Sequence, residues 1–182
     1  ILSRIEASCH AALAGQPVAI MLKMNALTDE ALSRALAHAS QCGVNVDVIV
    51  RGACILPAGV PGVTDNVRVR SVIGRMLEHS RVFRTQIGDD DQVWLSSADW
   101  MNRNMLRRVE MAWPVTDPML KQRVIDECLT LYMADNLDAW LLQPDGVYTK
   151  ALQTATGRGK KAVAYTATSA QATLMARYGR KA

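Results

Sequence analysis

The segments VAIMLKM (residues 18–24) and VNVDVIV (residues 44–50) decide the fold class of this 182-residue chain. Both are rich in Val and Ile and are bounded by turn residues, a composition typical of strands. Between them, Thr28 is predicted to be the N-cap of an amphipathic helix that runs to Gln41 and is closed by Gly43. A strand, a helix and a strand at this spacing predict a parallel pair with a right-handed crossover, and therefore an α/β sheet.

Outward from this unit, the pattern predicts further strands beyond a loop rich in Gly and Pro, residues 52–62. The loop follows the second predicted strand directly, and open α/β sheets bind their ligands beyond the carboxyl ends of strands. The sequence GDDD (residues 88–91) predicts the turn of a hairpin. The other predicted elements are a helix over 3–14, strands over 67–73, 81–87, 93–96 and 106–115, and a helix from 117 to about 136.

Positive charge is concentrated near the end of the chain. The net charge is +4, but residues 142–182 alone hold seven Lys and Arg against one acidic residue. This segment has few large apolar residues, so residues 143–170 are predicted to be mostly flexible, with a short helix over Ser169–Tyr178. The chain is accordingly divided into a folded domain, residues 1–142, and a basic tail, residues 143–182.

Composition excludes several classes of protein. With 49% hydrophobic and 21% charged residues, the sequence is neither disordered nor collagen-like. Its apolar runs are far shorter than the roughly 18 to 20 residues of a membrane-spanning helix. It begins at Ile1 with no signal-peptide pattern, so we expect a piece of a longer protein. The four cysteines form no CxxC pair and no histidine is spaced to complete a zinc site, so reduced thiols in the cytoplasm are predicted.

His79 is the histidine best placed for chemistry. His10 and His38 lie inside predicted helices with no polar cluster near them in sequence. His79 enters a strand two residues before Arg81, so both side chains point to one face and could bind phosphate together. The alternative is a structural role, with His79 packed among its apolar neighbours in the core.

A second polar cluster, SSADWMNRN (residues 96–104), leaves the predicted hairpin at a turn. Its hydroxyl, carboxylate and amide groups could position a histidine or bind an anion, and Ser97 or Asp99 could equally cap a helix. The order of His-x-basic, strand, turn, strand and Ser-x-Asp resembles the phospholipase D superfamily pattern. In this sequence Arg81 replaces the usual lysine and Asp99 the usual asparagine, which disfavours a standard phosphodiesterase half-site.

These departures match one branch of that superfamily. In series, the motifs resemble the last catalytic domain of bacterial polyphosphate kinases over about residues 15 to 148. The motifs are KMNAL (23–27), VRGAC (50–54), VTDN (63–66), LEH (77–79) and SSADWMNRN (96–104). The resemblance implies a phospholipase D-like fold, a mixed, largely parallel sheet flanked by helices, with a C-terminal helix and a basic tail.

The resemblance also implies which residues bind phosphate. In the family, the arginine of the VRG motif and the histidine of the LEH motif bind the phosphates of the nucleotide, and these correspond to Arg51 and His79. Arg108 corresponds to an arginine that faces the same cavity. Further motif positions, without individually assigned roles, are matched by Lys23, Asn25, Arg81, Ser97 and Arg103.

The family's reaction is the reversible transfer of the terminal phosphate of ATP to polyphosphate through a phosphohistidine. The nucleophilic histidine and the Mg²⁺ ligands belong to upstream domains, so no metal site is expected here and the isolated chain is expected to lack phosphoryl transfer. The implied partners are ATP or ADP, polyphosphate, the upstream domains and a second copy of the enzyme, with no DNA or RNA. The implied location is cytoplasmic, with peripheral membrane association left open. The alternatives are a phospholipase D-like phosphodiesterase or nuclease and, on charge alone, a structural or nucleic-acid-binding role of the tail.

Overall fold

A parallel pair of strands, β1 (Val18–Met24) and β2 (Asn45–Val50), lies at the centre of a computed structural model that describes residues 1–152 and 166–179. The crossover between them is α2 (Glu30–Gln41), which confirms the predicted strand–helix–strand unit. The N-cap of α2 is Asp29, not Thr28 as predicted. The Asp29 carboxylate accepts a hydrogen bond from the Leu32 amide at 2.9 Å, whereas the backbone amide of Thr28 is bonded to Trp100.

Eight strands form one mixed sheet in the order β6-β5-β4-β1-β2-β3-β7-β8. The mixed sheet flanked by helices is confirmed, but the prediction that it is largely parallel is wrong, since only β1, β2 and β3 run parallel to one another. All other neighbours are antiparallel, because the chain adds them as hairpins or as returning strands. These strands are β3 (Val67–Val72), β4 (Val82–Ile87), β5 (Asp90–Ser96), β6 (Ala112–Pro114), β7 (Ala139–Leu142) and β8 (Tyr148–Lys150).

Helices cover both faces of the sheet. On one face, α1 (Leu2–Leu13) and α2 pack over a core that includes Ile20, Leu22 and Val48. On the other face, a helical stretch over residues 118–134 and a C-terminal helix cover a second core around Ile49 and Leu129. The stretch over 118–134 consists of α4 (Pro118–Val124), a π-helical segment (Ile125–Thr130) and α5 (Leu131–Ala134), and the C-terminal helix is α6 (Ala170–Tyr178). The short helix α3 (Asn102–Arg107) precedes them in the chain.

Two further predictions are corrected by the structure. The predicted strand over residues 106–115 is α3, a loop and the short β6, and the alternating apolar residues Val109 and Met111 are exposed. The segment 143–170, predicted to be mostly flexible, contains the strand β8, which pairs with β7. The predicted C-terminal helix is confirmed as α6, whose N-cap Ser169 accepts a hydrogen bond from the Ala172 amide. Residues 153–165 lie outside the described part of the chain, and the domain division at residue 142 stays a prediction.

The sheet topology gathers many chain segments at one edge. The parallel strands β1, β2 and β3 end there, and β4 begins there because Val82 pairs with Lys23 near the end of β1. Leu95 in turn pairs with Val82, so β5 also ends at this edge. Among the described residues, no helix is long and apolar enough to cross a membrane.

Candidate functional site

The candidate site lies at this edge of the sheet, where the loop between β3 and β4 meets the ends of β1 and β2. At its base is an ion pair between Lys23, the second-last residue of β1, and Glu78, in that loop. The Lys23 Nζ atom lies 2.8 Å from Glu78 Oε2 and 3.2 Å from the ring centroid of Tyr132. The Lys23 side chain is only 5% exposed, so a charged group in the interior is stabilised by both a carboxylate and an aromatic face.

Two further side chains, from the helices that cover the face of the sheet on which Lys23 lies, also bind the Glu78 carboxylate. The Tyr132 hydroxyl donates to Glu78 Oε1, and Gln171 Nε2 donates to the same atom at 2.8 Å. Gln171, on α6, also accepts from the Met76 amide at 2.7 Å and donates to the Met76 carbonyl at 2.8 Å. The C-terminal helix therefore fixes the backbone immediately before His79.

Burial and hydrogen bonding act in opposite directions on Glu78. Burial alone would raise the pKa of Glu78, but the hydrogen bonds from Lys23 and Tyr132 and the charge of Lys23 outweigh it, so the pKa lies below its ordinary value. Burial also lowers the pKa of Lys23, while the contact with Glu78 opposes that change. Burial and the adjacent carboxylate raise the pKa of Tyr132. Glu78 is therefore ionised near neutral pH, and Tyr132 keeps its proton.

Asp99 is the centre of a second set of contacts at the same edge. Its carboxylate accepts hydrogen bonds from the backbone amide of Asn25 at 2.7 Å and from Arg81 Nη2 at 3.0 Å. Burial opposes ionisation, but the bonds from Arg81 and Asn25 hold the pKa of Asp99 below its ordinary value. Arg81, which occupies the position of the lysine in the phosphodiesterase pattern, is thus paired with a carboxylate and also donates to the His79 carbonyl at 3.0 Å.

Arg51 directly follows β2, and its guanidinium group is bonded through the Nε atom. Its Nε atom donates to Asn25 Oδ1 at 2.9 Å and to the Glu78 carbonyl at 2.7 Å. Within residues 1–152 and 166–179, neither terminal nitrogen of its guanidinium has a hydrogen-bond or ion-pair partner. The side chain is partly exposed, so its two terminal nitrogens can be reached by a ligand, and no carboxylate of the described residues neutralises them.

His79 is exposed on the loop that Glu78 anchors. The backbone carbonyl of Glu78 binds Arg51 and the backbone carbonyl of His79 binds Arg81, so both flanking peptide groups are fixed. The prediction that Ser97 or Asp99 fixes the His79 ring is wrong, because both of those side chains are bonded elsewhere. The core alternative is also excluded, since the neighbouring Met76 and Leu77 are themselves exposed.

The remaining predicted residues lie apart from this centre. The Ser97 hydroxyl donates to Glu110 and accepts from the Met111 amide, so it stabilises a turn. Arg108 lines a cavity of about 510 Å³ together with Phe83, Trp94 and Trp100. Neither Arg51 nor His79 lines that cavity, so the expected common cavity stays a prediction. Arg103 is exposed on α3.

The site does not fit a magnesium ion through this chain's own carboxylates. Glu78 and Asp99, the acidic groups at the edge, are already neutralised by Lys23 and Arg81. In the described part of the chain, the one set of three His, Cys, Asp or Glu side chains close enough to share a metal lies elsewhere. Any magnesium used with a nucleotide must therefore be held by groups other than these.

Sequence reasoning missed the partners of Glu78. Tyr132 and Gln171 are separated from it by 54 and 93 residues and belong to no motif. One signal was present, namely Lys23 in the otherwise apolar strand VAIMLKM, because a buried ammonium requires a partner.

Comparison with known proteins identifies close relatives. The family model described as "Polyphosphate kinase C-terminal domain 2" matches residues 1–162. The polyphosphate kinase of Neisseria meningitidis serogroup B is 49% identical over 151 residues, which are 83% of this chain and 22% of that protein. The polyphosphate kinase of Burkholderia vietnamiensis is 49% identical over 150 residues, 82% of this chain and 22% of the relative. This chain thus spans about a fifth of the length of these relatives.

A solved structure agrees with the fold. The crystal structure of polyphosphate kinase from Porphyromonas gingivalis matches with a TM-score of 0.84 and 32% sequence identity. The match covers 96% of this chain and 25% of that chain.

Proposed function

This chain belongs to the polyphosphate kinase C-terminal domain family, and on that premise we propose that it binds the phosphates of ATP and of polyphosphate within a larger phosphotransferase. The enzyme would transfer the terminal phosphoryl group of ATP reversibly to polyphosphate, with the nucleophilic histidine and the magnesium ligands supplied by domains outside this chain. The observation that carries the proposal is the orientation of Arg51, which is bonded through Nε alone, while its terminal nitrogens have no partner among the described residues and lie beside the exposed His79 loop.

Arg51 meets the needs of a phosphate ligand better than the other cations at the edge. Its Nε contacts fix the direction of the guanidinium plane, and two terminal nitrogens stay available for paired hydrogen bonds to phosphate oxygens. A cation held in advance stabilises the charge that spreads over these oxygens in phosphoryl transfer without reorganising at that moment. Lys23 and Arg81 lack this capacity because each already neutralises a carboxylate.

The roles of the matched positions can therefore be separated. Arg51 and His79 would contact phosphate, and Lys23, Asn25 and Arg81 would position them through Glu78 and Asp99. His79 could donate a hydrogen bond to a phosphate oxygen or move a proton at the leaving oxygen. Arg103 and Arg108, further along the same edge, could bind more distant parts of a long polyanion. A polyphosphate chain is highly charged, so cations outside the centre add affinity.

Supporting inferences about context follow from the family. Association with the upstream domains and with a second copy of the enzyme belongs to the proposal, as does a cytoplasmic location. The chain's four cysteines are free thiols in the structure, which is compatible with a reducing compartment.

The proposal is tested by titrating the 182-residue chain with short-chain polyphosphate, without nucleotide or metal. Arg51→Ala should weaken binding by at least about tenfold, the equivalent of one charge-assisted hydrogen bond. Arg51→Lys should recover only part of the loss, since an ammonium cannot form the paired contact. The matched control is Arg68→Ala, which removes an equal charge from an arginine paired with Asp47 at the other end of β3. Equal affinities of the Arg51 and Arg68 variants would refute the assignment.

A further inference from the structure

A cysteine–histidine cluster lies where α1 packs against α2, and none of its residues belongs to the motifs of the candidate site. His38 lies in the last turn of α2 and Cys42 is its C-cap, four residues later, so the two side chains lie on one face of the helix. Cys9 comes from α1, which packs against α2. The sequence predicts no zinc site because no histidine is suitably spaced along the chain, but helix packing brings together positions that are about thirty residues apart.

The spacing of the three donor atoms suits a tetrahedral metal ion. The His38 Nε2 atom lies 3.7 Å from Cys42 Sγ, and the donor atoms of all three residues lie within 4.8 Å of one another. Zinc bonds of about 2.3 Å to sulfur and about 2.1 Å to nitrogen place the S and N ligands of a tetrahedral site roughly 3.6 Å apart. The His38–Cys42 pair thus already has this separation, and Cys9 needs to approach by about 1 Å at most.

We propose that Cys9, His38 and Cys42 form a binding site for a borderline-soft divalent cation, Zn²⁺ in particular. Two thiolates and one imidazole are ligands that favour zinc over the hard cations Mg²⁺ and Ca²⁺. Binding displaces one proton from each thiol, so the two cysteines take their metal-bound form as thiolates. The ion would join α1 to α2, and this role is independent of the phosphate-binding function proposed above.

Access to the cluster comes from a surface depression. Cys9 and His38 line it, and so do Glu6 and His10. Cys9 itself is buried and His38 is exposed, so an ion can enter beside the imidazole and keep its fourth position toward the depression. Water or the Glu6 carboxylate can fill that fourth position, as in three-ligand zinc sites.

The other two cysteines provide the internal contrast. Cys54 Sγ bonds to the Leu56 carbonyl, and Cys128 lies in the π-helical segment beneath Lys23. Neither belongs to a three-donor group among the residues that the structure describes. Replacing each cysteine in turn can therefore show whether an absorption band from a thiolate–metal bond comes from Cys9 and Cys42.

The test uses the full 182-residue chain, kept reduced so that no disulfide forms, and Co²⁺ as a spectroscopic substitute for Zn²⁺. One equivalent of Co²⁺ should produce thiolate-to-metal charge-transfer absorption and tetrahedral d–d bands, and Zn²⁺ should displace it. Cys9→Ser and Cys42→Ser should abolish the charge-transfer band or weaken Zn²⁺ affinity by at least about a hundredfold, more than an outer-sphere change costs. His38→Ala should weaken binding while keeping thiolate absorption.

The controls are Cys54→Ser and His10→Ala, which should bind one equivalent with unchanged spectra. Circular dichroism of each variant without metal separates loss of binding from loss of folding. The proposal fails if the reduced chain shows no charge-transfer band, or if Cys9→Ser and Cys42→Ser both keep the band and bind Zn²⁺ with unchanged affinity. It also fails if the band depends on Cys54, which would place the ion elsewhere.

Discussion

Two groups of residues at the carboxyl edge of the sheet differ in how their polar atoms are used. The inner network consists of groups bonded to one another, namely Lys23, Glu78, Tyr132, Gln171, Asn25, Asp99 and Arg81. The outer groups, the terminal nitrogens of Arg51 and the ring of His79, have no such partners among the described residues. The residues of both groups look alike in sequence as polar positions, but of the two groups the outer one can bind a ligand without breaking an existing contact.

This difference predicts opposite effects of substitution. Removing a member of the inner network leaves a buried partner unsatisfied and should reduce the free energy of unfolding. Removing an outer group should leave that free energy nearly unchanged and reduce affinity for phosphate. Measuring stability and binding on the same variants therefore tests the division directly.

Glu78→Ala should have the largest effect on stability. It leaves the Lys23 ammonium buried and without its carboxylate, which costs about 3 kcal/mol of unfolding free energy. Urea denaturation, with both proteins analysed by linear extrapolation, measures the loss. The control is Glu30→Ala, which removes the exposed partner of Arg34 and should cost less than about 1 kcal/mol. Similar losses for the two variants would mean that Glu78 is not the centre of a buried network.

Gln171→Ala should have an intermediate effect, about 1 to 2 kcal/mol, because it leaves the Met76 amide and Glu78 with fewer partners. Gln122→Ala is the control, since its side chain makes one exposed bond to Asp126 within the helix. Hydrogen exchange of the Met76 amide adds a local measurement. Faster exchange there in Gln171→Ala, without equal acceleration in β1, would establish that α6 fixes the loop of His79.

Features that depend on residues close together in sequence were predicted, and features that depend on contacts between distant parts of the chain were not. The strands VAIMLKM and VNVDVIV, the hairpin at Gly88 and helix α6 follow local patterns and were predicted. The antiparallel direction of most strand pairs was not predicted. The periodicity of apolar residues indicates which face of a strand is buried, but it does not indicate which strand lies beside it. The segment around Val109 was misjudged because three alternating apolar residues are too short a signal, and here they are exposed.

Motif order selected Arg51 and His79, and their role in binding stays a prediction. The side chains that hold them in place were not predicted from the sequence. The contact of Glu78 with Gln171 spans 93 residues and depends on how α6 packs, which no local pattern encodes. The same limit explains the Cys9, His38 and Cys42 cluster, which only the packing of α1 on α2 creates.

Lowering the pH should gradually reduce the contribution of the inner network to the free energy of unfolding. The pKa values of Glu78 and Asp99 in the folded chain lie below their ordinary values of 4.5 and 3.8. A carboxyl group of this kind contributes stability that is complete above its ordinary pKa and is lost as the pH falls through its folded pKa. The free energy of unfolding should therefore decrease as the pH is lowered below about 4.5. Glu78→Gln and Asp99→Asn, each less stable at pH 7, should show a shallower decrease, and an unchanged slope in both would contradict this origin.

His79→Ala should have the smallest effect on stability, within about 0.5 kcal/mol, because its exposed ring contacts no polar partner in the described chain. Polyphosphate affinity should nevertheless fall by roughly two- to tenfold, the range of a single hydrogen bond. In the larger enzyme, a role in proton transfer would lower turnover by at least about a hundredfold. A role in binding alone would instead raise the nucleotide concentration needed for half-maximal rate. His10→Ala, an exposed histidine on α1, serves as the control for both measurements. If His79→Ala destabilised the chain as much as Gln171→Ala, His79 would belong to the inner network, and the ligand would have to be bound by Arg51 without it.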